Sequence, residues 1–178
     1  MHAGAAAAGL EDVTKEAARD GRPFLGICVG MQMLFEGSDE SPDEPGLGIL
    51  RGRSTALPRS VRLPQMGWNT LEVVAGSRLC SGLPDPAWCY FVHTYAVEPG
   101  DVSVVSAWCD YGRRFPAVVE AGPVWATQFH PEKSGANGLR DAAHLRRGRR
   151  TATPPGRADG LLPGDRPARR PRRTARAG

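Results

Sequence analysis

The chain has 178 residues, of which 40% are hydrophobic, and a formal net charge of +4. This length accommodates one domain with a hydrophobic core and is too short for two of ordinary size. No apolar run approaches the roughly 20 residues of a membrane-spanning helix, and no cationic N-terminal region precedes an apolar stretch with a cleavage site. We therefore expect neither a membrane span nor secretion, and a cytoplasmic location.

The positive charge belongs to the C-terminal segment. Residues 1–140 hold 12 Lys and Arg against 16 Asp and Glu, whereas residues 141–178 hold 11 against 3. The second segment has no Val, Ile, Met, Phe, Trp or Tyr, so it cannot bury enough apolar area to offset its conformational entropy. We predict a domain over 1–140 and a disordered tail over 141–178. Because the tail is rich in Arg, Ala, Pro and Gly and has no Lys, we hypothesise that it results from a frameshift near Arg140 in a GC-rich gene.

The first three elements of the chain are predicted to be a helix, a strand and a helix. Residues 3–20 are rich in Ala, Leu, Glu and Lys, and the predicted helix ends before Gly21 and Pro23. The run PFLGI at 23–27 is typical of a parallel strand buried on both faces, and residues 29–37 have apolar positions at helical spacing.

The rest of the domain is predicted to be mostly strands. An acidic stretch rich in Pro and Gly, residues 38–48, indicates a surface loop. The segments after it are short, rich in β-branched and aromatic residues and separated by turn residues, so we expect strands, some antiparallel, in an α/β fold with a mixed sheet. These segments are GILRGRSTALP, VRLPQMGWNTLEVV, AWCYFVHTYAVEP, DVSVVSAWCDYG and PAVVEAGPVWATQFH.

The four cysteines show no metal-site pattern. Cys28, Cys80, Cys89 and Cys109 lack C-x-x-C spacing. We therefore expect no metal site. The sequence around one of the four cysteines differs from that around the other three. Cys28 lies between the predicted strand and helix in G-x-C-x-G.

The turn around Cys28 is suited to a nucleophile. A side chain on a sharp strand-to-helix turn needs a strained backbone, and Gly26 and Gly30 would let the strand and helix approach closely. The helix N-terminus would stabilise a thiolate, and the Val29 amide would serve as one donor of an oxyanion hole. A buried structural cysteine is the alternative that this pattern alone leaves open.

A candidate base lies in the sequence H-P-E. His130 ends an apolar strand, whereas His93 lies within one. If Pro131 keeps the backbone extended, His130 and Glu132 point to the same side, so the carboxylate can orient the ring and leave its other nitrogen for Cys28. Taken alone, H-P-E is also compatible with a surface histidine at a strand end.

These motifs resemble a known family. GICVGMQ, at 26–32, and FHPE, at 129–132, resemble the class I glutamine amidotransferases, whose Cys-His-Glu triad hydrolyses glutamine and hands ammonia to a synthase. LPQMGWNTL, YFVHTYAV and FHPEKSG are similar to the glutaminase subunits of imidazole glycerol phosphate synthase, in histidine biosynthesis. The resemblance runs from about Gly21 to Arg140. It implies a flavodoxin-like mixed sheet with flanking helices, a cyclase subunit as partner in a heterodimer, and no cofactor.

The resemblance also implies residue roles. Cys28 would be the nucleophile, His130 the general base and acid, and Glu132 the orienting carboxylate. Gln32 and Glu40 would bind substrate glutamine, and Glu40 would contact the amino group of that substrate. Thr94 and Tyr95 would line the pocket through their backbone. Residues implied at the cyclase interface are Trp68, Tyr90 and Lys133, although ordinary sheet packing explains the two aromatic residues equally well.

Two departures from the family lead to further expectations. The family begins with a βαβ unit and a P-G-x-G loop that supplies a second oxyanion donor, and we expect both to be missing from this sequence. A chain without that donor is expected to have low or no activity, since removing one donor costs about 10²–10³ in rate in a well-studied hydrolase. Loss of the first strands would also leave PFLGI at an exposed sheet edge.

Two other functions are compatible with the sequence. A different class I amidotransferase, for anthranilate, aminodeoxychorismate or guanylate synthesis, would share GICVGMQ and FHPE. A nucleic-acid-binding fragment would use the arginines of 141–178, but this segment has no aromatic residue on which bases could stack.

Overall fold

Residues 10–138 are described in the computed structural model of the chain. Two helices lie near its start, α1 (Leu10–Arg19) and α2 (Val29–Met33), and 3-10 turns cover Val102–Val104 and Pro131–Lys133. The strands in chain order are β1 (Phe24–Ile27), β2 (Gly37–Ser38), β3 (Gly52–Ala56), β4 (Gln65–Val73), β5 (Ala87–His93), β6 (Tyr95–Pro99), β7 (Val105–Asp110), β8 (Arg114–Ala121) and β9 (Val124–Thr127).

The strands form two sheets. One has the order β1-β9-β8-β7-β4-β5, and the other has the order β2-β3-β6. The β1–β9 and β2–β3 pairs are parallel, and the remaining pairs are antiparallel. The predicted α/β class with a mixed sheet is therefore confirmed, and each of the five segments predicted to hold strands contains at least one.

The first helix agrees with the prediction over the described residues. Glu11 and Asp12 lie in its first turn and Arg19 in its last, which suits the helix dipole. It ends before Gly21, where φ is 69°. The predicted residues 3–9 lie outside the described part of the chain, as does the predicted tail over 141–178.

The second helix is shorter than predicted. It ends at Met33 instead of continuing to residue 37. Leu34 and Phe35 are already fully buried, and the next residues pair with another element, since Gly37 lies opposite Arg53 of β3. Tertiary pairing thus overrides the helical pattern after Met33.

Strand β1 is less buried than predicted. Ile27 is 37% exposed, and Phe24 and Leu25 are half-buried. Among the described strands β1 pairs only with β9, at the end of the sheet order. The prediction of burial on both faces is wrong for the described residues, among which β1 is an edge strand.

Two hydrophobic clusters fill the fold. One centres on Phe91, Phe115 and Phe129, each fully buried. The ring centroid of Phe91 lies 6.0 Å from that of Phe115 and 5.8 Å from that of Phe129. Burying such a ring stabilises the fold by about 1.5–3 kcal/mol. The other cluster joins α2 to the sheet through Met31, Leu34 and their neighbours. Both clusters hold the carboxyl ends of β1 and β9 in place. No helix among the described residues is long and apolar enough to cross a bilayer.

Candidate active site

Cys28 occupies a strained turn between β1 and α2. Its φ is 53° and its ψ is −108°, and it is the sole non-glycine residue with positive φ in the described range. The turn is held because the Cys28 amide donates to the Thr127 carbonyl at 2.7 Å and the Cys28 carbonyl accepts from the Met31 amide at 3.0 Å. Strain of this kind is held by the surrounding structure and is common at functional sites.

The close approach of β1 to α2 depends on one of the two glycines. A Cβ at Gly26 would lie 2.8 Å from the Gly30 carbonyl oxygen, which real Cβ atoms do not tolerate. A Cβ at Gly30 would meet no atom within 4 Å. The prediction that both glycines permit close packing is therefore right for Gly26 and wrong for Gly30, whose Cβ direction points away from the described strands.

The Cys28 sulfur lies in a largely closed polar environment. Only 8% of the residue is exposed. The Gln128 amide nitrogen donates to the sulfur at 3.7 Å, and the thiol faces the Val92 carbonyl oxygen at 3.9 Å. Desolvation raises the pKa of the Cys28 thiol, as does the negative charge of Glu132, and hydrogen bonds from the Val29 amide and Gln128 counteract this. The resting site therefore holds a protonated thiol beside two N–H donors.

His130 and Glu132 form a hydrogen-bonded pair. His130 Nδ1 lies 2.7 Å from Glu132 Oε1. His130 itself is extended, with φ −97° and ψ 101°, but Pro131–Lys133 forms a 3-10 turn. The predicted extended H-P-E backbone is therefore wrong after His130, because Pro131, whose φ suits both conformations, begins the turn that carries the carboxylate to the ring.

The Glu132 carboxyl group is held in its ionised form. Desolvation is the largest single influence and raises its pKa, but several effects together outweigh it. These are hydrogen bonds from its own backbone amide and from His130, and the nearby charges of His130 and Lys133. Its pKa consequently lies below the ordinary value, so it accepts the His130 N–H throughout the neutral range.

The end of β5 joins the pair to the sulfur. The His130 amide donates to the Tyr90 carbonyl at 2.9 Å, and the Cys28 thiol faces the carbonyl of Val92, two residues further along the same strand. The charge of Glu132 also acts on the Cys28 thiol. Cys28, through its side chain, and His130, through its amide, therefore both contact the backbone of β5, at carbonyls two residues apart.

The residues expected to bind substrate lie on α2, in the loop that follows β2, and at the junction of β5 and β6. Gln32 is buried on α2, and its amide nitrogen donates to the Tyr95 carbonyl at 2.8 Å. Thr94 is the bend between β5 and β6, and its carbonyl accepts from the Leu57 amide. Glu40 is exposed, and its negative charge contributes to the raised pKa of the Cys28 thiol.

Two buried polar residues at the site were not identified from the sequence. Gln128, fully buried, links Gln32 to Cys28. His93 ends β5 instead of lying within it, and its Nδ1 is 2.9 Å from the Tyr95 carbonyl. Burial lowers the pKa of His93 to about 4 despite the Tyr95 contact, helped by the charges of Arg113 and His130. Gln128 directly follows Thr127, which pairs with Ile27, so the parallel register of β1 with β9 brings it beside Cys28, and no local sequence pattern indicated this.

An exposed apolar patch lies on the β4–β5 hairpin. We call it the Trp68 surface, formed by Met66, Trp68, Trp88 and Tyr90, whose side chains share one face of the two strands. Trp68 is 52% exposed and packs edge-to-face on Tyr90, with ring centroids 5.9 Å apart. The exposed Lys133 ammonium lies 6.0 Å from the Tyr90 ring centroid. The three residues predicted at an interface are therefore neighbours, next to the His130 turn.

The described residues do not form a metal centre. No group of three or more His, Cys, Asp and Glu side chains in residues 10–138 is arranged to hold an ion. All four cysteines are buried thiols. The candidate site offers a thiol, an imidazole and a carboxylate.

A family model for class-I glutamine amidotransferases matches residues 3–147. The chain belongs to the class I glutamine amidotransferase family. The resemblance inferred from GICVGMQ and FHPE is thereby confirmed. A solved glutamine amidotransferase superposes with a TM-score of 0.56 at 24% identity, covering 81% of this chain and 68% of that one. At that identity the likeness shows the amidotransferase fold alone.

Curated relatives of this amidotransferase chain share one name. It is 49% identical over 136 residues to imidazole glycerol phosphate synthase subunit HisH of Symbiobacterium thermophilum, covering 76% of this chain and 64% of the relative. It is 50% identical over 142 residues to the HisH subunit of Deinococcus radiodurans, covering 78% and 66%. The chain thus spans less than two thirds of the length of these relatives.

Proposed function

We propose that this chain hydrolyses glutamine to glutamate and ammonia and delivers the ammonia to a cyclase subunit that makes imidazole glycerol phosphate. The observation that carries the proposal is the strained Cys28 turn, which faces the strand end where His130 is bonded to Glu132. A buried structural cysteine needs neither a positive φ nor a histidine–carboxylate pair beside it. The names of the curated relatives support the choice of synthase.

In the first half of the reaction, Cys28 attacks the substrate carboxamide. His130 Nε2 takes the thiol proton, because Nδ1 is occupied by Glu132. The sulfur then forms a bond to the carboxamide carbon, and the carbonyl electron pair moves to oxygen, where the Val29 amide donates to the developing charge. When the tetrahedral intermediate collapses, the C–N bond breaks and His130 protonates the leaving nitrogen, giving ammonia and a thioester.

In the second half, water cleaves the thioester. His130 takes a proton from the water, whose oxygen attacks the thioester carbon. The C–S bond then breaks, and the sulfur recovers the proton from His130, releasing glutamate. Glu132 stabilises the imidazolium formed in each half, and its lowered pKa keeps it ionised for this purpose.

We also infer how the substrate is held. Glu40 supplies a negative charge near the sulfur for the α-ammonium group of glutamine. Gln32 and the backbone of Thr94 and Tyr95 line the pocket, where the Gln32–Tyr95 bond fixes its wall. An analogue without the α-ammonium group would lose its attraction to the Glu40 carboxylate and is expected to bind less tightly.

The Trp68 surface and Lys133 form the proposed contact with the cyclase. Two exposed tryptophans and a half-buried tyrosine on one sheet face, next to a lysine, have the composition of an interface centre. The surface adjoins the His130 turn, so ammonia would leave toward the partner. We infer a cytoplasmic heterodimer with the lyase activity of the synthase, and the four buried thiols are compatible with a reducing compartment.

The test is glutamate release from glutamine in the presence of the cyclase subunit. The parent chain and a Cys109→Ser variant, which alters a buried thiol in the core, are expected to release glutamate at similar rates. Cys28→Ser is expected to release none above background. Equal rates for Cys28→Ser and the parent would contradict the assignment of the nucleophile, and co-purification with another synthase would contradict the partner.

A further inference from the structure

Gln128 is a buried side chain that donates a hydrogen bond to the Cys28 sulfur. It is fully buried, and its backbone is fixed because its amide donates to the Ala117 carbonyl at 2.8 Å. Its side-chain nitrogen lies 3.7 Å from the sulfur, within the range of an N–H···S hydrogen bond. The triad chemistry described above assigns no role to this residue.

The orientation of the Gln128 amide follows from a neighbouring carbonyl. The Tyr95 carbonyl can only accept, so the Gln32 amide must turn its nitrogen toward it, at 2.8 Å. That same nitrogen has a second hydrogen and lies 3.2 Å from the Gln128 side chain, which must therefore present its oxygen. The Gln128 nitrogen is left to face the sulfur, and each bond polarises the next.

We propose that the Gln128 side-chain amide is a catalytic hydrogen-bond donor to the Cys28 sulfur, and that Gln32 is the positioning residue that keeps it in the donating orientation. This inference rests on the proposed function, in which the sulfur carries negative charge. The protonated thiol has an acceptor in the Val92 carbonyl, at 3.9 Å. When His130 removes the proton that contact loses its hydrogen, and the Gln128 N–H becomes a charge-assisted bond to the thiolate.

The test measures the reactivity of Cys28 instead of turnover. Alkylation by iodoacetamide is followed from pH 6 to 11, and peptide mass spectrometry gives the rate at each cysteine. Gln128→Met keeps the side-chain length and removes the donor, and Gln128→Asn keeps an amide but withdraws it from the sulfur. Both are expected to raise the apparent Cys28 pKa by about one pH unit or more, the range for a hydrogen bond to a charged group.

A matched control uses a third buried glutamine, which lies away from Cys28. Gln65 is 3% exposed, and its side chain bonds to the Cys109 thiol instead of Cys28. Gln65→Met is expected to leave the alkylation profile of Cys28 as in the parent. A shift at Cys28 of equal size in Gln65→Met would mean that loosening the core, not loss of the donor, is responsible.

The other titratable groups around the sulfur are unchanged in these variants. Glu40 comes from the loop after α2, His93 from the end of β5, and His130 and Glu132 from the turn after β9. Their effects on Cys28 are therefore common to the parent and every variant. The difference between two profiles reports the donor alone.

Two outcomes separate the donor from the function it serves. A Cys28 pKa unchanged in both folded Gln128 variants overturns the donor role, whatever the rate of glutamate release. A parent chain that releases no glutamate with the cyclase contradicts the proposed function, even where the pKa shift is found. If both Gln128 variants unfold, Gln32→Met decides: a smaller upward shift is expected, and no shift overturns the proposal.

Discussion

The backbone of Gly26 lies directly against that of Gly30. A methyl group on Gly26 would come within 2.8 Å of the Gly30 carbonyl oxygen and 3.1 Å of the Met31 amide nitrogen. Because both atoms belong to the backbone of α2, they cannot move aside like the end of a flexible side chain. The distance between strand and helix, and with it the turn that carries Cys28, is set at this contact.

Gly26→Ala should therefore destabilise the fold, and Gly30→Ala should not. The overpacked strand is expected to cost about 1–3 kcal/mol of the free energy of unfolding. Gly30→Ala has open space and a helical position, so it is expected to be neutral or to stabilise by up to about 1 kcal/mol. Urea unfolding of the two variants measures the difference, and equal stabilities would show that the contact does not constrain the turn.

The ionised Glu132 should affect turnover and thiol acidity in opposite directions. Glu132→Gln removes the charge that holds the His130 ring, and we expect glutamate release to fall by about 10²–10⁴-fold. The same substitution removes a negative charge that raises the Cys28 pKa, so that pKa should fall. Kinetics and alkylation profiles measured on one preparation test both halves.

Glu72→Gln is the control for this prediction. Glu72 is an exposed carboxylate that pairs with Arg114 on the sheet surface, and its loss should change neither readout. If Glu132→Gln slowed turnover and raised the Cys28 pKa, the carboxylate would act on the site by some route other than its charge.

Buried His93 should make stability depend on pH. The pKa of His93 is about 4 in the folded chain against an ordinary 6.5. Between pH 4 and 6.5 His93 is therefore protonated in the unfolded chain and mostly neutral in the folded chain. Stability from this group is complete above pH 6.5 and is lost as the pH falls toward 4, by roughly 3 kcal/mol. Urea unfolding at several pH values should show His93→Gln losing that much less than the parent, and parallel curves would contradict the account.

The Trp68 surface should contribute to cyclase binding. Trp68→Ala is expected to weaken the affinity by about 30-fold, as for a central aromatic residue, and Lys133→Ala to slow association in a salt-dependent manner. Val102, 66% exposed but outside the Trp68 surface, provides Val102→Ala as a control with parental affinity. Titration calorimetry and stopped-flow mixing give the two quantities. Binding by Trp68→Ala as tight as that of the parent would place the interface elsewhere.

Much of the site was predictable because its residues follow strands. Cys28 and His130 each come after a short apolar run, and the carboxyl ends of paired strands meet at one edge. The pairing of Glu132 with the His130 ring was predicted correctly, but the extended backbone predicted for it was wrong. An extended chain and a 3-10 turn both bring the side chain of residue i+2 near that of residue i. Local sequence thus indicated which thiol, imidazole and carboxylate to consider without fixing their geometry.

Other features depend on contacts between distant parts of the chain. Gln128 meets Gln32 across 96 residues, through the parallel register of β1 with β9, and no local pattern encodes that register. The bend at Thr94 sends β5 and β6 into different sheets, although the sequence runs through it as one apolar stretch. The early end of α2 likewise follows from pairing between Gly37 and Arg53.

The most direct test of the central claim is covalent labelling with a diazoketone analogue of L-glutamine, which carries an electrophilic carbon in place of the carboxamide. The chain is incubated with it in the presence of the cyclase and mapped by peptide mass spectrometry. We predict a single adduct on Cys28, suppressed by excess L-glutamine and absent with the D-enantiomer. Labelling that falls equally on Cys80, Cys89 and Cys109, or that glutamine does not suppress, would contradict a glutamine site at Cys28.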